Sequence, residues 1–484
     1  MIYARGFVLG LAAAFIAGCA VGPNYKRPVV EVPPKFKEAG DWKPAEPKDT
    51  AIPTTWWDSF NDPTLNELEN QVEVSNQNLR VSEAQYRQAR AQVGSARAAY
   101  FPTFDVKGAE TRGENALQSG ASSAATGTSG STGKIQTTYS ATAEANWEID
   151  LWGSLRRSTE SARANAQASA ADLAGVRLSM QSELANDYFN LRVVDAQQQL
   201  LERTVSAYEE TVRLTQNRYN AGVAMRSDVV QAQAQLKSAQ AQLIDIAVQR
   251  AQFEHAIAVL VGKPPAAFTL TATDKIATLP ETPQTVPSSL LEQRPDIAGA
   301  ERRVASANAQ IGVARAAFFP QLTLSGSGGY RSSSTANLFS LPNRFWSLGP
   351  GLAETLFNGG ARIAANERAV AAYDQSVAQY RQTVLGGFQE VEDNLAELRV
   401  LGEEAQVESE AVELARESVR LVTNQYKAGT VAYLNVVNAQ TTLYADERTL
   451  LTLQGRRFTA YINLVKALGG GWNSSQPVID SSAR

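Results

Sequence analysis

The chain has 484 residues, a formal net charge of −4, a mean hydropathy of −0.25 and a single cysteine. This length allows a large core, the hydropathy excludes a bundle of membrane helices, and the near-neutral charge gives no reason to expect nucleic acid as a partner. A lone cysteine also excludes an internal disulfide.

The first residues have the pattern of a lipoprotein signal peptide, which is predicted over residues 1–18. Arg5 gives the positive start, and residues 7–17 form an apolar run of eleven, which is too short for a bilayer that needs about 20. The motif Ile16-Ala17-Gly18-Cys19 resembles a bacterial lipobox, which implies that Cys19 is lipidated and becomes the first mature residue. By the same resemblance, Ala20 in the next position implies sorting to the outer membrane. The alternative is an ordinary signal peptide with an incidental cysteine.

One segment of the first half returns in the second half. Residues 91–102 read AQVGSARAAYFP and residues 309–320 read AQIGVARAAFFP, with nine of twelve positions identical at an offset of 218. In each copy an Ala-rich run with helical spacing ends at Phe-Pro, and alternation of polar and apolar residues follows. The chain is therefore interpreted as a duplication in which each half joins a helix to a strand.

The first half is expected to begin with an extended segment, a helix and a strand hairpin. Prolines prevent a long helix over residues 19–63, and apolar spacing predicts a helix over 64–100. Residues 101–153 are predicted to form a hairpin around a Gly-, Ser-, Thr- and Ala-rich loop at 112–134. Alternation over 139–151 gives one apolar and one polar face, which fits a barrel wall between lipid and water as well as a strand of a soluble sandwich.

A long helix is predicted next. Residues 154–219 contain no proline, and as a helix they would span about 100 Å at about 1.5 Å per residue. Apolar residues recur about every 3.5 positions, which is typical of helices packed side by side with a slight supercoil. The motif Tyr219-Asn220-Ala221-Gly222 ends this helix, a returning helix follows over 227–260, and residues 263–294 are expected to form a small mixed layer.

The second half repeats this order. It is predicted to contain a helix over 295–318, strands over 321–331 and 344–356 around a loop at 332–343, a long helix after Asn358-Gly359-Gly360, and a last helix that ends at Leu468. Its helix turn, Tyr426-Lys427-Ala428-Gly429, follows the first one at an offset of 207. Each half is thus predicted to have one long helix and shorter helices that run in the opposite direction beside it.

Four strands are too few to close a membrane barrel, since the smallest have about eight. Strands must therefore be pooled between copies, and a dimer and a trimer both satisfy the count, although only twelve strands leave a useful lumen. The other classes considered are a structural or adhesive lipoprotein built on trimeric helices, and an enzyme. His255, the single histidine, is interpreted as a helix-surface or packing residue, and no catalytic residue, metal site or cofactor is expected.

Several motifs resemble those of the outer-membrane factor lipoproteins of tripartite efflux pumps. They are the lipobox, the paired Phe-Pro junctions, the two helix turns, Trp147-Glu148-Ile149-Asp150-Leu151-Trp152-Gly153, Arg294-Pro295-Asp296-Ile297 and Ala467-Leu468-Gly469-Gly470-Gly471-Trp472. The likeness implies an α+β membrane protein with an internal two-fold repeat. It implies a homotrimer whose twelve-stranded transmembrane β-barrel continues into a twelve-helix periplasmic α-barrel with a mixed α/β equatorial belt.

The resemblance also implies a function and partners. The trimer would conduct drugs, metal ions or other small molecules passively from an inner-membrane RND-type pump and a periplasmic adaptor to the cell exterior. It would sit in the outer membrane, anchored to lipid through Cys19. A type I secretion conduit is an alternative within the same architecture.

The same resemblance assigns roles to segments of the chain. Residues 101–153 and 319–357 would be the transmembrane hairpins with extracellular loops at 112–134 and 332–343. Residues 64–100, 154–262, 295–318 and 358–468 would be the helical parts, 19–63 and 263–294 the extended and equatorial segments, and 469–484 the C-terminal tail.

The candidate site residues lie at the two helix turns, which the resemblance places at the periplasmic tip. Gly222 and Gly429, which follow the long helices there, are expected to adopt positive φ. The residues expected to dock the adaptor are Arg218, Tyr219, Gly222, Ser227, Asp228, Gln425, Tyr426 and Gly429. The residues expected at the periplasmic gate are Tyr426, Asn435 and Asn438. Relatives commonly carry aspartates where this chain has the two asparagines, so a closed tip held by hydrogen bonds and packing is expected, with Arg218 taking part and with only weak block by multivalent cations.

Overall fold

The computed structural model describes residues 20–33, 36–38, 54–115, 134–273, 276–281 and 293–472. The predicted signal peptide, Cys19, most of the 112–134 loop and most of the tail lie outside these residues. The chain forms two compact units. Unit 1 comprises Met1–Arg27, Gln88–Ala166 and Arg302–Val377, and unit 2 comprises Pro28–Arg87, Gln167–Glu301 and Ala378–Arg484.

In each half of the chain a helix is followed by two strands, a long helix and a returning helix, and the first half begins with one further helix. In the first half these are α1 Pro63–Ser75, α2 Gln77–Ala98, β1 Thr103–Asn115, β2 Lys134–Ile149, α3 Ser154–Asn220 and α4 Arg226–Leu260. In the second half they are α5 Pro295–Ala316, β3 Gln321–Ser332, β4 Arg344–Ala353, α6 Ala361–Lys427 and α7 Tyr433–Ala467. The two long helices have 67 residues each and the two returning helices 35 each. No helix among the described residues is long and apolar enough to cross a membrane.

The strands of unit 1 form one antiparallel sheet in the order β1-β2-β3-β4. Its centre is the pairing of β2 with β3, in which Trp147 lies opposite Leu324. The two hairpins, one from each half, therefore join side by side. Within the part of the chain that the structure describes, the outer edges of β1 and β4 have no further strand beside them.

An indole holds each helix-to-strand junction. Trp147 Nε1 donates to the carbonyl of Tyr100 at 2.8 Å, beside the first Phe-Pro, and Trp152 Nε1 donates to the carbonyl of Pro320 at 2.8 Å, at the second. Trp152 also stacks on Phe319, with ring centroids 4.6 Å apart. The prolines at these points end the helical conformation, and the indoles fix the direction in which the strands leave.

The predicted single helix over 64–100 is wrong, because the helix is broken at Asn76. Asn76 is extended, its Oδ1 accepts from the backbone N–H of Leu79, and its Nδ2 donates to the carbonyl of Leu260 at 2.8 Å. The asparagine thus caps α2 and also binds the end of α4. A helical Asn76 would lose both interactions, which involve buried groups.

The helix predicted over 295–318 ends at Ala316, and the larger differences from the prediction concern the strands and the segment 263–294. β1 continues to Asn115, into the predicted loop 112–134, because β2 supplies a pairing partner for each of these residues. β4 ends at Ala353, whereas the strand was predicted to reach Leu356. In the segment 263–294, the described residues contain the 3₁₀ turn Pro265–Ala267 and no strand. The mixed α/β layer predicted there is therefore not seen in the described part.

Aromatic residues form the core of unit 2. A 3₁₀ turn, Trp56–Phe60, buries its rings against α3 and α7, and Phe189 stacks on Phe458 with centroids 4.3 Å apart and planes 7° apart. Tyr188 Oη donates to Asp62 Oδ2 at 2.6 Å, while Asp62 Oδ1 caps α1 by accepting from two backbone N–H groups. The turn Trp56–Phe60, directly before α1, is thereby part of the core.

The buried Glu69 of α1 is expected to make the folding stability depend on pH. Its side chain is fully buried and neither carboxylate oxygen has a hydrogen-bond partner, and burial, followed by repulsion from Glu73, raises its pKa well above 4.5. Because the folded state holds this proton more tightly than the unfolded chain, stability is lost as pH rises above about 4.5 towards the raised pKa.

We expect the unfolding free energy of Glu69→Gln to increase relative to that of wild type as pH rises, as measured by urea unfolding. Glu67→Gln, an exposed change on the same helix, is the control and should show no such trend; a parallel course of the Glu69→Gln and wild-type curves would contradict the prediction.

Candidate functional site at the two helix turns

The two turns of unit 2 have the same backbone geometry. Gly222 and Gly429 adopt φ of 77° and 81°, as predicted from their place after the long helices. In the first turn the N–H of Gly222 donates to the carbonyl of Tyr219 and that of Val223 to Arg218, both at 2.9 Å. The second turn repeats both bonds at 3.0 Å, from Gly429 to Tyr426 and from Thr430 to Gln425. This pattern satisfies the last carbonyls of each long helix and needs a residue that tolerates positive φ.

Arg218 joins the first turn to the second. Its guanidinium carbon lies 4.7 Å from the centroid of the Tyr426 ring, and its Nη1 donates to the carbonyl of Lys427 at 3.1 Å. The contact combines cation–π attraction with a charged hydrogen bond at the C-terminus of α6, where a cation is favoured. Arg218 and Tyr426, two of the residues predicted at the helix turns, are therefore in contact within one chain.

Tyr426 and Tyr433 are the buried residues of this site. Their rings lie 5.6 Å apart, each is 3% exposed, and they form an apolar cluster with Ala232, Val436 and Val437. Burial raises the pKa of Tyr433, and the neighbouring Tyr426 raises it further, so the phenol stays neutral at physiological pH. Tyr433 was missed from the sequence, although an aromatic residue at the first position of α7, directly after the turn, was a usable signal.

The predicted gate asparagines lie outside this cluster. Asn435 and Asn438 are exposed on the single chain. Asn435 is the third residue of α7, as Asp228 is of α4, and Asp228 Oδ2 accepts from the backbone N–H of Met225 at 3.4 Å. Asp228 follows Gly222 by the same number of residues as Asn435 follows Gly429. The chain therefore has an acid after the first turn and an amide at the equivalent position after the second.

The predicted docking residues divide between surface and interior. Arg218 and Asp228 are half-buried and Tyr426 is buried. The exposed ones are Tyr219, Gly222, Ser227, Gln425 and Gly429. These five leave a polar, glycine-containing surface at the ends of the helices.

The remaining predicted residues lie elsewhere. Cys19 is outside the described residues. His255 is exposed on α4, as expected of a helix-surface residue. In the described part of the chain, no group of three or more His, Cys, Asp or Glu side chains could hold a metal ion.

Comparison with known proteins identifies the family. The family model described as outer membrane efflux protein matches residues 68–263 and 286–470. A probable efflux pump outer membrane protein of Pseudomonas putida, TtgC, is 31% identical over 466 residues, which are 96% of this chain and 95% of that protein. The pyoverdine export outer membrane protein OpmQ of Pseudomonas aeruginosa is 32% identical over 424 residues, covering 87% of this chain and 88% of that one.

A solved structure agrees with these matches. The outer-membrane channel OprN superposes with a TM-score of 0.85 at 28% identity, covering 94% of this chain and all of that one. The family match extends over both helix turns and both strand hairpins. The chain belongs to the outer membrane efflux protein family.

Proposed function

We propose that three copies of this chain form the outer-membrane conduit of a tripartite efflux system. The observation that carries the proposal is the open four-stranded sheet combined with two 67-residue helices in one chain. Open strand edges are not tolerated in lipid, because their N–H and C=O groups would have no partner. Three copies give twelve strands, enough for a barrel with a lumen.

The segments then take the following places. The hairpins at 101–153 and 319–357 cross the outer membrane, with the connection between β1 and β2 and that between β3 and β4 outside the cell. The helical regions at 154–262 and 358–468 form the periplasmic barrel, and the segments at 19–63 and 263–294 surround it as an equatorial belt. Cys19 carries the lipid that anchors each copy.

The partners follow from the family. A periplasmic adaptor docks on the two helix turns, and an inner-membrane RND-type pump supplies energy, so the conduit itself needs no catalytic residue. TtgC is named as part of an efflux pump and OpmQ as a pyoverdine exporter. The substrates proposed for this chain are drugs, metal ions and other small molecules.

Conductance tests the proposal. The purified full-length protein should insert into planar bilayers as a trimer and conduct ions, and deletion of the gene should sensitise cells to drugs, metal ions or both. A trimer that binds lipid but never conducts would overturn the conduit and favour the structural or adhesive alternative.

The gate gives a further prediction. Three carboxylates around a narrow axis would concentrate multivalent cations, whereas the amides of Asn435 and Asn438 keep hydrogen-bonding capacity without charge. We expect Asn435→Asp and Asn438→Asp to strengthen block by a multivalent cation added on the periplasmic side by about tenfold or more. Asn424→Asp, an exposed change on α6, is the control. Strong block of the wild type that stays unchanged in the Asp variants would exclude this role.

A further inference from the structure

The residues that follow Cys19 in the sequence are docked on unit 1. The N–H of Val21 donates to the carbonyl of Trp152 at 3.0 Å, which places the segment 20–24 beside the point where β2 passes into α3. Ala20 lies against Gly153, whose φ is 80°: a Cβ on that glycine would come within 2.9 Å of the Ala20 Cα. The approach at this point is therefore backbone to backbone.

Two buried polar side chains bind the segment. Arg157 of α3 is 5% exposed. Its Nη2 donates to Asn24 Oδ1 at 2.9 Å and to the carbonyl of Gly22 at 3.4 Å, and its Nε donates to the carbonyl of Val21 at 3.4 Å. Asn308 of α5 is 4% exposed, and its Nδ2 donates to the carbonyl of Pro23 at 3.0 Å. A buried guanidinium needs acceptors for its N–H groups, and here the segment supplies three of them, while Glu160 supplies another.

A pair of glycines makes the closest contact. Gly22 has φ of 103°, and a Cβ there would lie 2.6 Å from the Cα of Gly312 on α5. A Cβ on Gly312 would in turn lie 2.7 Å from Cγ of Arg157. The two glycines therefore let the segment, α5 and the arginine side chain meet at one point, and the segment contacts helices from both halves of the chain.

We propose that residues 20–24 are a clasp that holds the lipid-bearing N-terminus rigidly at the junction of sheet and helix. The proposal rests on the proposed lipidation of Cys19. Cys19 is bonded directly to the first residue of the clasp, so a lipid on Cys19 has no flexible tether between it and the clasp. The clasp ties the start of α3 to α5 and thereby gives the anchor a fixed position on unit 1.

Limited proteolysis tests the clasp. Lys26 is exposed two residues after the clasp, and the following Arg27-Pro28 bond resists trypsin, so cleavage after Lys26 reports release of the segment. In the detergent-purified full-length trimer, we expect Gly22→Ala to raise the rate of this cleavage about tenfold or more, because only opened segments are cut. Gly222→Ala changes another positive-φ glycine with open space around it, and should leave the rate unchanged. Equal rates for wild type and Gly22→Ala would overturn the clasp.

Two further variants separate the effect of the clasp on the cleavage rate from the effect of the lipid. Asn24→Ala removes one acceptor of Arg157 from an exposed position and should raise the cleavage rate by a smaller factor, whereas Asn24→Ala at the wild-type rate would count against the contact. Cys19→Ser should lose incorporated fatty-acid label while keeping the wild-type cleavage rate. Fatty-acid label retained by Cys19→Ser would refute the lipidation of Cys19 without contradicting the clasp. Rapid cleavage of unlabelled Cys19→Ser would show that the lipid, and not the clasp, holds the segment.

Discussion

Gly469→Ala is expected to destabilise unit 2 by about 3 kcal/mol or more, whereas Gly222→Ala should cost about 1 kcal/mol. Both glycines have positive φ, 90° and 77°. A Cβ on Gly469 would lie 2.0 Å from the carbonyl oxygen of Gln293, while one on Gly222 has no atom within 4 Å. The difference between the two variants therefore isolates the steric clash from the cost of positive φ.

The clash matters because Gly469 lies where the end of α7 packs against Gln293 and Arg294. The N–H of Gly469 donates to the carbonyl of Lys466 and ends α7, and Arg294 Nη1 donates to the carbonyl of Ala467 at 2.9 Å. Arg294 is buried and also pairs with Asp296 and with Glu390 of α6. Moving the Gln293 carbonyl away from a new Cβ would displace this arginine and weaken its bonds to α6 and α7.

Thermal or urea unfolding of the purified protein measures the effect. Gly469→Ala should lower the midpoint well below that of Gly222→Ala, and the yield of folded protein should fall with it. Equal losses in the two variants would mean that the clash relaxes without cost and that φ alone sets the penalty.

Long periodic elements could be predicted from the sequence because their signal is local. The helix expected over 154–219 runs Ser154–Asn220, since the absence of proline and about thirteen turns of apolar spacing leave little room for error. The break at Asn76 could not be predicted, because its cause is the carbonyl of Leu260, which is distant in sequence. The extension of β1 to Asn115 likewise depends on pairing with β2 and not on its own composition.

The candidate site was predictable in part for the same reason. The repeated Tyr-x-Ala-Gly turns are local, and both glycines have the positive φ expected. The ring of Tyr426 against Arg218 joins residues from the two halves, so the sequence could suggest both residues without fixing their contact. Gly22 carried no sequence signal at all, because its need for glycine comes from Gly312.

The largest functional effect is expected from Gly429→Trp, which should abolish efflux while leaving trimers in the outer membrane. A Cβ on Gly429 would meet only Arg218 Nη2, at 3.8 Å, which is ordinary van der Waals contact, so the first atom of an added side chain has room at the turn. Its structural cost is then the positive φ, about 1 kcal/mol. An indole there would cover the surface proposed to receive the adaptor.

Gly429→Ala separates docking from capping, because it carries the same backbone cost with almost no added bulk. If the turn docks an adaptor, cells with Gly429→Ala should keep most of their efflux, cells with Gly429→Trp should lose it, and both variants should yield wild-type amounts of trimer and conduct in planar bilayers. Crosslinking to the adaptor should fall only in the Trp variant. If Ala and Trp instead reduce efflux and trimer yield together, the glycine acts as a helix cap and the docking role at this turn is wrong.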